Sequence, residues 1–242
     1  MSIFSITLLL LLIVMMTHIV AESFFDFVRA QPDGNITANS LPLPVILIHG
    51  WNDDASRWSE WSDFLGNDGI PFFPITFEET DDSCGSSIDH AQELVNIIED
   101  IKLITGQDKV NIVGHSKGGL DARVYFDLSK TDSVANLIMI GTPNAGSPIA
   151  IGISICTPAV FDLVPDSAAT KAQRNSHTKY YTIAGDWLPP FGNPIIPSRD
   201  DGWVPLISVE SKPYFIKLGH TNDYHLNLVN ENEYNLAKQI LK

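Results

Sequence analysis

Cysteines and basic residues are scarce in this chain of 242 residues. It has 2 Cys, and its 15 Lys and Arg stand against 29 Asp and Glu, which gives a formal net charge of −14 at pH 7. Nucleic acid and anionic membrane surfaces would be repelled, so this charge excludes them as partners and favours a neutral substrate or a neutral lipid interface. Such acidity also keeps an extracellular protein soluble, and it leaves the oligomeric state open.

The two cysteines are Cys84 and Cys156, and no metal-ligand spacing surrounds either of them. We therefore expect no metal site. In an oxidising compartment the two thiols would form a single disulfide, and two unpaired buried thiols are the alternative.

Low-complexity linkers and internal repeats are also lacking, and 44% of the residues are hydrophobic, which predicts one domain at 44–242. An unbroken apolar stretch at 8–16 has the length of a signal peptide's hydrophobic region. Because no Lys or Arg precedes Arg29, a membrane anchor at 3–20 is the alternative to a leader at 1–21 that is cleaved. We expect a secreted or extracytoplasmic protein, with 22–43 as a spacer outside the fold.

Short apolar runs alternate with amphipathic segments from residue 44 onwards. The predicted strands are 44–49, 71–77, 109–114, 134–140, 180–184 and 214–218. The predicted helices are 56–65, a segment with Ser87 as its N-cap that ends before Gly106, 120–128 and 225–241. This alternation predicts an α/β fold with a mostly parallel, doubly wound sheet.

One segment, residues 144–178, interrupts the alternation. It contains several prolines and many apolar residues, and it is too long for a plain connecting loop. Two interpretations stay open. The segment is a lid whose apolar face covers a substrate pocket, or it completes the hydrophobic core.

A short glycine-flanked motif, Gly114-His115-Ser116-Lys117-Gly118, lies between a predicted strand and a predicted helix. A serine at the apex of such a tight turn has strained backbone geometry, and residues two before and two after it must be glycine to avoid a clash. The motif predicts a nucleophile elbow with Ser116 as the nucleophile.

A serine hydroxyl needs an imidazole to take its proton and a carboxylate to orient that imidazole. In an open parallel sheet with this elbow, the acid and then the histidine follow the serine along the chain. Of the later histidines, His177 precedes a strand and is expected at the surface, whereas His220 and His225 follow the last strand. We favour His225 as the base; His220 remains open as the base or as a loop-ordering residue.

Three aspartates compete for the role of the acid. Asp201 lies in a turn between the last two predicted strands, where the fold requires the acid, and we favour it. Asp200 is its neighbour, and Asp186 follows the strand at 180–184 more closely. Both remain alternatives.

Stabilising an oxyanion requires two backbone NH donors, one after the nucleophile and one after the first strand. Those positions are Lys117 and Trp51. The side chain of Lys117 is expected to reach solvent. We expect His49 and His115 to have structural roles, bracing the oxyanion loop and the elbow.

Taken together, these motifs resemble the α/β-hydrolase superfamily, in particular its secreted bacterial lipases and esterases and relatives of the GPI-inositol deacylases. The likeness spans 44–241, and these blocks carry it: His49-Gly50-Trp51, Gly114 to Gly118, Gly141-Thr142-Pro143-Asn144-Ala145-Gly146-Ser147, Asp162-Leu163-Val164-Pro165, Asp201-Gly202-Trp203-Val204-Pro205 and His225-Leu226. Two positions depart from the usual pattern. Asn144 replaces a histidine, and Lys117 stands where Met, Leu or Gln is usual.

The resemblance implies a serine carboxylester hydrolase with a catalytic triad of Ser116, Asp201 and His225, an oxyanion hole at Trp51 and Lys117, and no metal or organic cofactor. Its substrate would be a small-molecule or lipid ester. An acyltransferase or amidase using the same site is the nearest alternative, and a binding protein that has lost turnover is another.

Overall fold

The structure of the protein, a computed structural model, describes residues 42–78, 80, 84–187 and 192–242. The expected leader at 1–21 and almost all of the expected spacer at 22–43 lie outside the described residues. Among the helices in the described ranges, none combines the length and apolarity needed to cross a membrane.

The described residues form a six-stranded sheet in which every pair of neighbouring strands is parallel. The strands are β1 (Val45–Ile48), β2 (Phe72–Ile75), β3 (Val110–His115), β4 (Val134–Ile140), β5 (Lys179–Gly185) and β6 (Ile216–Thr221). Their order across the sheet is β2-β1-β3-β4-β5-β6. The predicted mostly parallel α/β fold is confirmed.

Helices cover both faces of the sheet. They are α1 (Ser59–Asn67), α2 (Ser87–Thr105), α3 (Lys117–Leu128), α4 (Thr157–Leu163), α5 (Leu206–Val209) and α6 (Glu231–Leu241). Side chains alternate between the two faces of a strand, so on β1 Ile46 and Ile48 pack with α2 and α3, whereas Val45 and Leu47 pack with α1 and α6. Both faces of β1 are therefore buried, which explains its unbroken apolar sequence.

Helix boundaries differ from the predictions at three places. The predicted helix at 56–65 is a 3₁₀ turn (Ala55–Trp58) followed by α1, and the N-cap of α2 is Ser86 instead of Ser87. α3 begins directly after Ser116, three residues before the predicted start, so the serine lies at the helix N-terminus.

The C-terminal region also differs from the prediction. The last strand begins at Ile216 instead of 214, because Tyr214 packs its ring against Tyr180 with centroids 5.5 Å apart. The predicted helix at 225–241 is a 3₁₀ turn (His225–Asn227) and then α6, because the side chain of Asn230 caps α6. Because the last helix does not extend back to His225, this residue lies in a separate turn after β6.

The segment at 144–178 is the insert. It contains two 3₁₀ turns (Pro148–Gly152 and Ala169–Lys171) with α4 between them. Val160, Leu163 and Ala169 are buried in the core, whereas Ile151, Ile155 and Phe161 are each 65–68% exposed. The insert therefore completes the core and also presents an apolar outer surface.

A disulfide joins Cys84, before α2, to Cys156, the N-cap of α4, with their Cα atoms 4.6 Å apart. Of the two states considered for these cysteines, the structure contains the paired one. A second contact accompanies it, because the carboxylate of Asp162 accepts a 2.5 Å hydrogen bond from the backbone amide of Ser87. The disulfide and this hydrogen bond both attach the insert to the start of α2.

Candidate active site

The backbone at Ser116 is strained as the motif predicts. Its φ of 51° and ψ of −122° are unusual for a residue with a side chain. A Cβ on Gly114 would lie 2.6 Å from the backbone nitrogen of Gly119, and one on Gly118 would lie 2.4 Å from the carbonyl oxygen of His49. Both positions therefore require glycine, and the predicted elbow geometry is confirmed.

His225 lies beside this serine, in the 3₁₀ turn after β6. Its Nε2 is 2.9 Å from Ser116 Oγ, and its Nδ1 is 2.7 Å from Asp201 Oδ2. Because the carboxylate only accepts, Nδ1 carries the proton, and Nε2 is left to accept from the serine hydroxyl. The His225 amide also donates to the Asp201 carbonyl at 2.8 Å, so the two residues are joined through backbone and side chain.

Asp201 is completely buried in the loop after β5. Its Oδ1 accepts hydrogen bonds from the amides of Trp203 (2.9 Å) and Val204 (2.7 Å), which leaves Oδ2 directed at His225. A buried carboxylate is stable only when its oxygens are paired, and here every partner also fixes its direction. The structure thus brings Ser116, His225 and Asp201 into one hydrogen-bonded chain.

The alternative acids have other partners. Asp186 forms an ion pair with the guanidinium of Arg199. Asp200 accepts hydrogen bonds from the amides of Asn193 (3.0 Å) and Gly202 (2.7 Å), and burial raises its pKa. Both residues order the loop around Asp201, and neither contacts His225.

The alternative histidines lie away from the serine. His220 belongs to β6 instead of following the last strand, and its Nε2 is 2.6 Å from the carboxylate of Glu210, which also pairs with Lys217. His177 is exposed at the opposite end of the sheet, before β5, as expected.

The proposed oxyanion donors flank the serine. A Cβ on Gly50 would lie 3.0 Å from the Cβ of Ser116, so the loop that carries Trp51 passes directly beside the nucleophile. Among the described residues, the amides of Trp51 and Lys117 have no hydrogen-bond acceptor. Two unpaired amides beside a serine at a helix N-terminus are suited to binding a developing negative charge.

The Lys117 side chain does not reach solvent, and that expectation was wrong. It is 2% exposed, and its Nζ lies 2.7 Å from Asp121 Oδ1 and 3.2 Å from His90 Nδ1. His90 Nδ1 is also 2.9 Å from Asp121 Oδ2. Burial opposes ionisation of Asp121, but the Lys117 charge and the hydrogen bonds from His90 and Lys117 outweigh it and lower its pKa to about 2.

Two further histidines contact the loops of the site. His49 Nδ1 lies 2.8 Å from the Gly50 carbonyl, and His115 Nε2 lies 3.0 Å from the His225 carbonyl. Burial and the proximity of His225 shift the pKa of His115 well below its ordinary value, so His115 is neutral and donates from Nε2. These contacts agree with the structural roles expected for both residues.

Three residues near the site went unrecognised in the sequence: His90, Asp121 and Arg57. The Arg57 guanidinium donates to the Leu226 carbonyl at 2.6 Å, so it links the loop after β1 to the turn at His225. The spacing of Lys117 and Asp121, one helical turn apart, was the available signal for a buried pair. Nothing in the sequence connects His90 to them.

An apolar groove of about 350 Å³ lies on the insert, lined by Ala150, Ile151, Ile153, Val160, Phe161, Val164 and Pro165 together with Asp166 and Ser167. Its inner residues Ile153 and Val164 pack on the same core as Trp51. Within the described ranges, no cluster of three or more His, Cys, Asp or Glu has a geometry suited to a metal ion.

The parallel sheet, the strained serine between strand and helix, and a later acid and histidine define an α/β-hydrolase. A family model described as palmitoyl protein thioesterase matches residues 44–188, and the chain belongs to that family. The match includes Trp51, Ser116 and Lys117 but ends before Asp201 and His225.

Curated relatives match a shorter part of the chain. Triacylglycerol lipases of Pseudarthrobacter phenanthrenivorans and Burkholderia plantarii are each 30% identical over 115 residues, which is 44% of this chain and 35% and 31% of theirs. The chain therefore spans about a third of the length of these relatives.

Solved structures share the fold over most of the chain. The mature form of the Bacillus licheniformis lipase BlEst2 has a TM-score of 0.67 at 21% identity, covering 88% of this chain and 95% of that one. The metagenomic carboxyl esterase MGS0156 has a TM-score of 0.58 at 17% identity, covering 87% and 77%.

Proposed function

We propose that this protein is a serine carboxylic ester hydrolase of the lipase and esterase type. The observation that carries the proposal is the hydrogen-bonded chain from Ser116 Oγ through His225 to Asp201, set at a strained elbow. The lipase names of the curated relatives support the same class of reaction.

In the first half of the reaction, Ser116 Oγ attacks the ester carbonyl carbon while His225 Nε2 takes the hydroxyl proton. The carbonyl π-electrons move to the oxygen, and the amides of Trp51 and Lys117 stabilise the resulting oxyanion. Asp201 stabilises the imidazolium and keeps its proton on Nδ1. Collapse of the tetrahedral intermediate breaks the bond to the alcohol, which leaves with the proton from Nε2.

In the second half, a water molecule gives one proton to His225 Nε2 as its oxygen attacks the acyl carbon. The tetrahedral intermediate again places its negative charge on the oxyanion donors. Collapse breaks the bond to Ser116 Oγ, which regains its proton from His225. The carboxylic acid leaves, and the protein returns to its starting state without any cofactor.

For the substrate, we propose a neutral ester with a medium or long acyl chain. The apolar groove on the insert offers surface for such a chain, and Ile151 and Phe161 form its exposed margin. The net charge of −14 favours an uncharged substrate or a neutral lipid interface over an anionic one.

Thioester hydrolysis is a second candidate, because the family model that matches the chain is that of palmitoyl protein thioesterases. The same serine, imidazole and oxyanion donors would cleave a thioester, with a thiol as the leaving group. Parallel assays of matched oxygen and sulfur esters of palmitate distinguish the two, and competing alcohols or amines test acyl transfer.

The test of the proposal uses the full chain and Ser116→Ala. Wild type is expected to hydrolyse nitrophenyl esters and to react with a fluorophosphonate probe at Ser116, whereas the variant loses turnover by more than about 10,000-fold and is not labelled. Turnover by Ser116→Ala at the wild-type rate would refute it. A wild type that fails to react with the probe would favour a binding protein instead. A preference for acetate over longer acyl chains would contradict the proposed substrate.

We also propose that the protein works outside the cytoplasm, because its disulfide requires an oxidising compartment. The apolar run at 3–20 would serve as the export signal or anchor. Mass spectrometry of the protein recovered from the medium and from the membrane fraction tests both forms. Recovery of only reduced protein in the cytoplasm would contradict the proposal.

A further inference from the structure

A buried charged cluster lies next to the nucleophile, and the mechanism above does not use its side chains. Lys117, Asp121 and His90, called the brace below, have side chains that are 2–3% exposed. The two charged side chains pair at 2.7 Å, and both contact the same ring nitrogen of His90. Removing two charges from water is costly, and apolar residues of similar size would often be no less stable there. Stability alone therefore does not account for the cluster.

The brace includes the residue that supplies one oxyanion donor. Lys117 is the first residue of α3, and its amide lies beside Ser116 while its side chain runs into the interior. The ammonium group pairs with Asp121 one turn further along α3, and Asp121 also accepts a hydrogen bond from His90 on α2. A side chain anchored at its far end restricts rotation of its own peptide group.

The brace also approaches the second oxyanion donor. The ring of His90 is stacked on Phe77, with centroids 4.1 Å apart and planes inclined by 14°. Phe77 in turn lies 6.2 Å from the ring of His49, which is two residues before Trp51. A continuous set of buried side chains therefore joins the peptide after the nucleophile to the loop after β1.

We infer that the brace sets the position of the two oxyanion amides, with His90 and Asp121 as positioning residues. This inference rests on the proposed function. It also accounts for the departure at Lys117 from the Met, Leu or Gln usual at this position. The lysine contributes a tethered charge where the usual residues are uncharged.

The double variant Lys117→Met/Asp121→Asn tests the inference. It removes both charges together, retains the Lys117 backbone amide, and leaves an amide oxygen to accept from His90, so it is expected to fold. Turnover is measured per active site, with the sites counted by the end point of fluorophosphonate labelling. We expect kcat for nitrophenyl butyrate to fall about 10- to 100-fold, less than the loss of an oxyanion donor, with KM changed within about twofold.

A transition-state analogue provides a second measurement. An alkyl boronic acid forms a tetrahedral adduct with the serine, so its affinity should fall by the same factor as kcat/KM. The matched control is Lys109→Met/Asp132→Asn, which removes an exposed ion pair of 2.8 Å with the same substitutions. This control should change neither kcat nor the affinity for the boronic acid.

The outcomes separate the two proposals. Unchanged kcat per titrated site, with only a lower melting temperature or fewer labelled sites, would overturn the positioning role and leave the hydrolase intact. An inactive and unlabelled wild type would overturn both. Were the double variant not to fold, His90→Phe decides the matter, because it removes the hydrogen bond from His90 to Asp121 and leaves the buried Lys117–Asp121 ion pair intact. Wild-type turnover by that variant would overturn the inference.

Discussion

Consecutive residues at the start of α3 contact two buried histidine–aspartate pairs of similar geometry. Ser116 lies against His225, whose Nδ1 is 2.7 Å from Asp201, and Lys117 lies against His90, whose Nδ1 is 2.9 Å from Asp121. The pairs differ in what surrounds the imidazole.

In the first pair, Nε2 of His225 faces a hydroxyl whose proton it can take. In the second pair, a lysine ammonium approaches the nitrogen already facing the carboxylate, and Phe77 covers one face of the ring. The comparison shows that a buried histidine–aspartate pair is not in itself a catalytic element. The proposed catalytic role requires in addition a hydroxyl group whose proton the imidazole can take, and Ser116 supplies one to His225.

The sharpest way to separate the pairs is the same substitution in each. Asp201→Asn should lower kcat about 1,000- to 10,000-fold, because an amide favours the wrong imidazole tautomer and cannot stabilise the imidazolium. Asp121→Asn should lower kcat per labelled active site about 10- to 100-fold, because it loosens an oxyanion donor; it also leaves the buried Lys117 charge unpaired, so folded sites must be counted. Steady-state kinetics on nitrophenyl butyrate give both values.

Asp186→Asn is the control for this comparison, because Asp186 is also a buried aspartate after β5 but pairs with Arg199. It should lower kcat far less than Asp201→Asn does, because Asp186 orders the loop around Asp201 but does not contact His225. Equal losses at Asp201 and Asp121 would mean that the comparison is wrong.

The two pairs also differ in their attachment to the insert. α2, which carries His90, is joined to the insert by the Cys84–Cys156 disulfide, which closes a loop with a sequence separation of 72. Cys84→Ser/Cys156→Ser should lower the free energy of unfolding by about 3 to 4 kcal/mol, because the unfolded chain regains conformational freedom. Urea denaturation with and without reductant measures this.

The same double variant should keep most of the wild-type kcat although its free energy of unfolding falls, since His225 and Asp201 lie outside the closed loop. Reductant should lower the free energy of unfolding of the wild type and leave that of the double variant unchanged. A loss of kcat as large as that of Asp201→Asn would show that the insert controls the first pair as well.

A smaller effect is expected from a buried carboxyl group in the C-terminal helix. Burial raises the pKa of Glu233, in the first turn of α6, to about 7, despite opposing hydrogen bonds from its neighbours. The folded protein therefore binds this proton more tightly than the unfolded chain does. The stability from this group is fully present below about pH 4.5 and is lost as the pH rises through 7.

Glu233→Gln should remove this dependence, so at pH 8 the variant gains up to about 3 kcal/mol relative to wild type, and at pH 4 it gains nothing. Urea denaturation at both pH values tests this. An equal difference at the two pH values would contradict the assignment to Glu233.

Much of the site was predictable because it depends on local geometry. Only glycine fits at 114 and 118, so Ser116 and its elbow are visible in five residues. In this fold the acid and then the histidine follow the serine along the chain, which left only a few later residues as candidates. Choosing among these candidates required contacts that only the structure shows. Asp186 pairs with Arg199, and His220 pairs with Glu210.

Other features could not be predicted, because they depend on contacts between distant segments. Lys117 was expected in solvent, and its burial follows from Asp121 on its own helix together with His90 on another. Likewise, β6 begins two residues later than predicted, because Tyr214 packs with Tyr180. The alternation of side chains along the chain does not reveal this aromatic contact.

The amino-acid sequence by itself determined the parallel sheet, the elbow and the candidates for the acid and base. The hydrophobic period and the glycine spacing are local features, and the order of residues along the chain can be read directly. Tertiary structure alone decided which candidates meet at Ser116, how the disulfide and Asp162 attach the insert, and that a lysine is buried beside the nucleophile. These features depend on side chains far apart in the chain, whose free energies exist only after the sheet and its helices have packed.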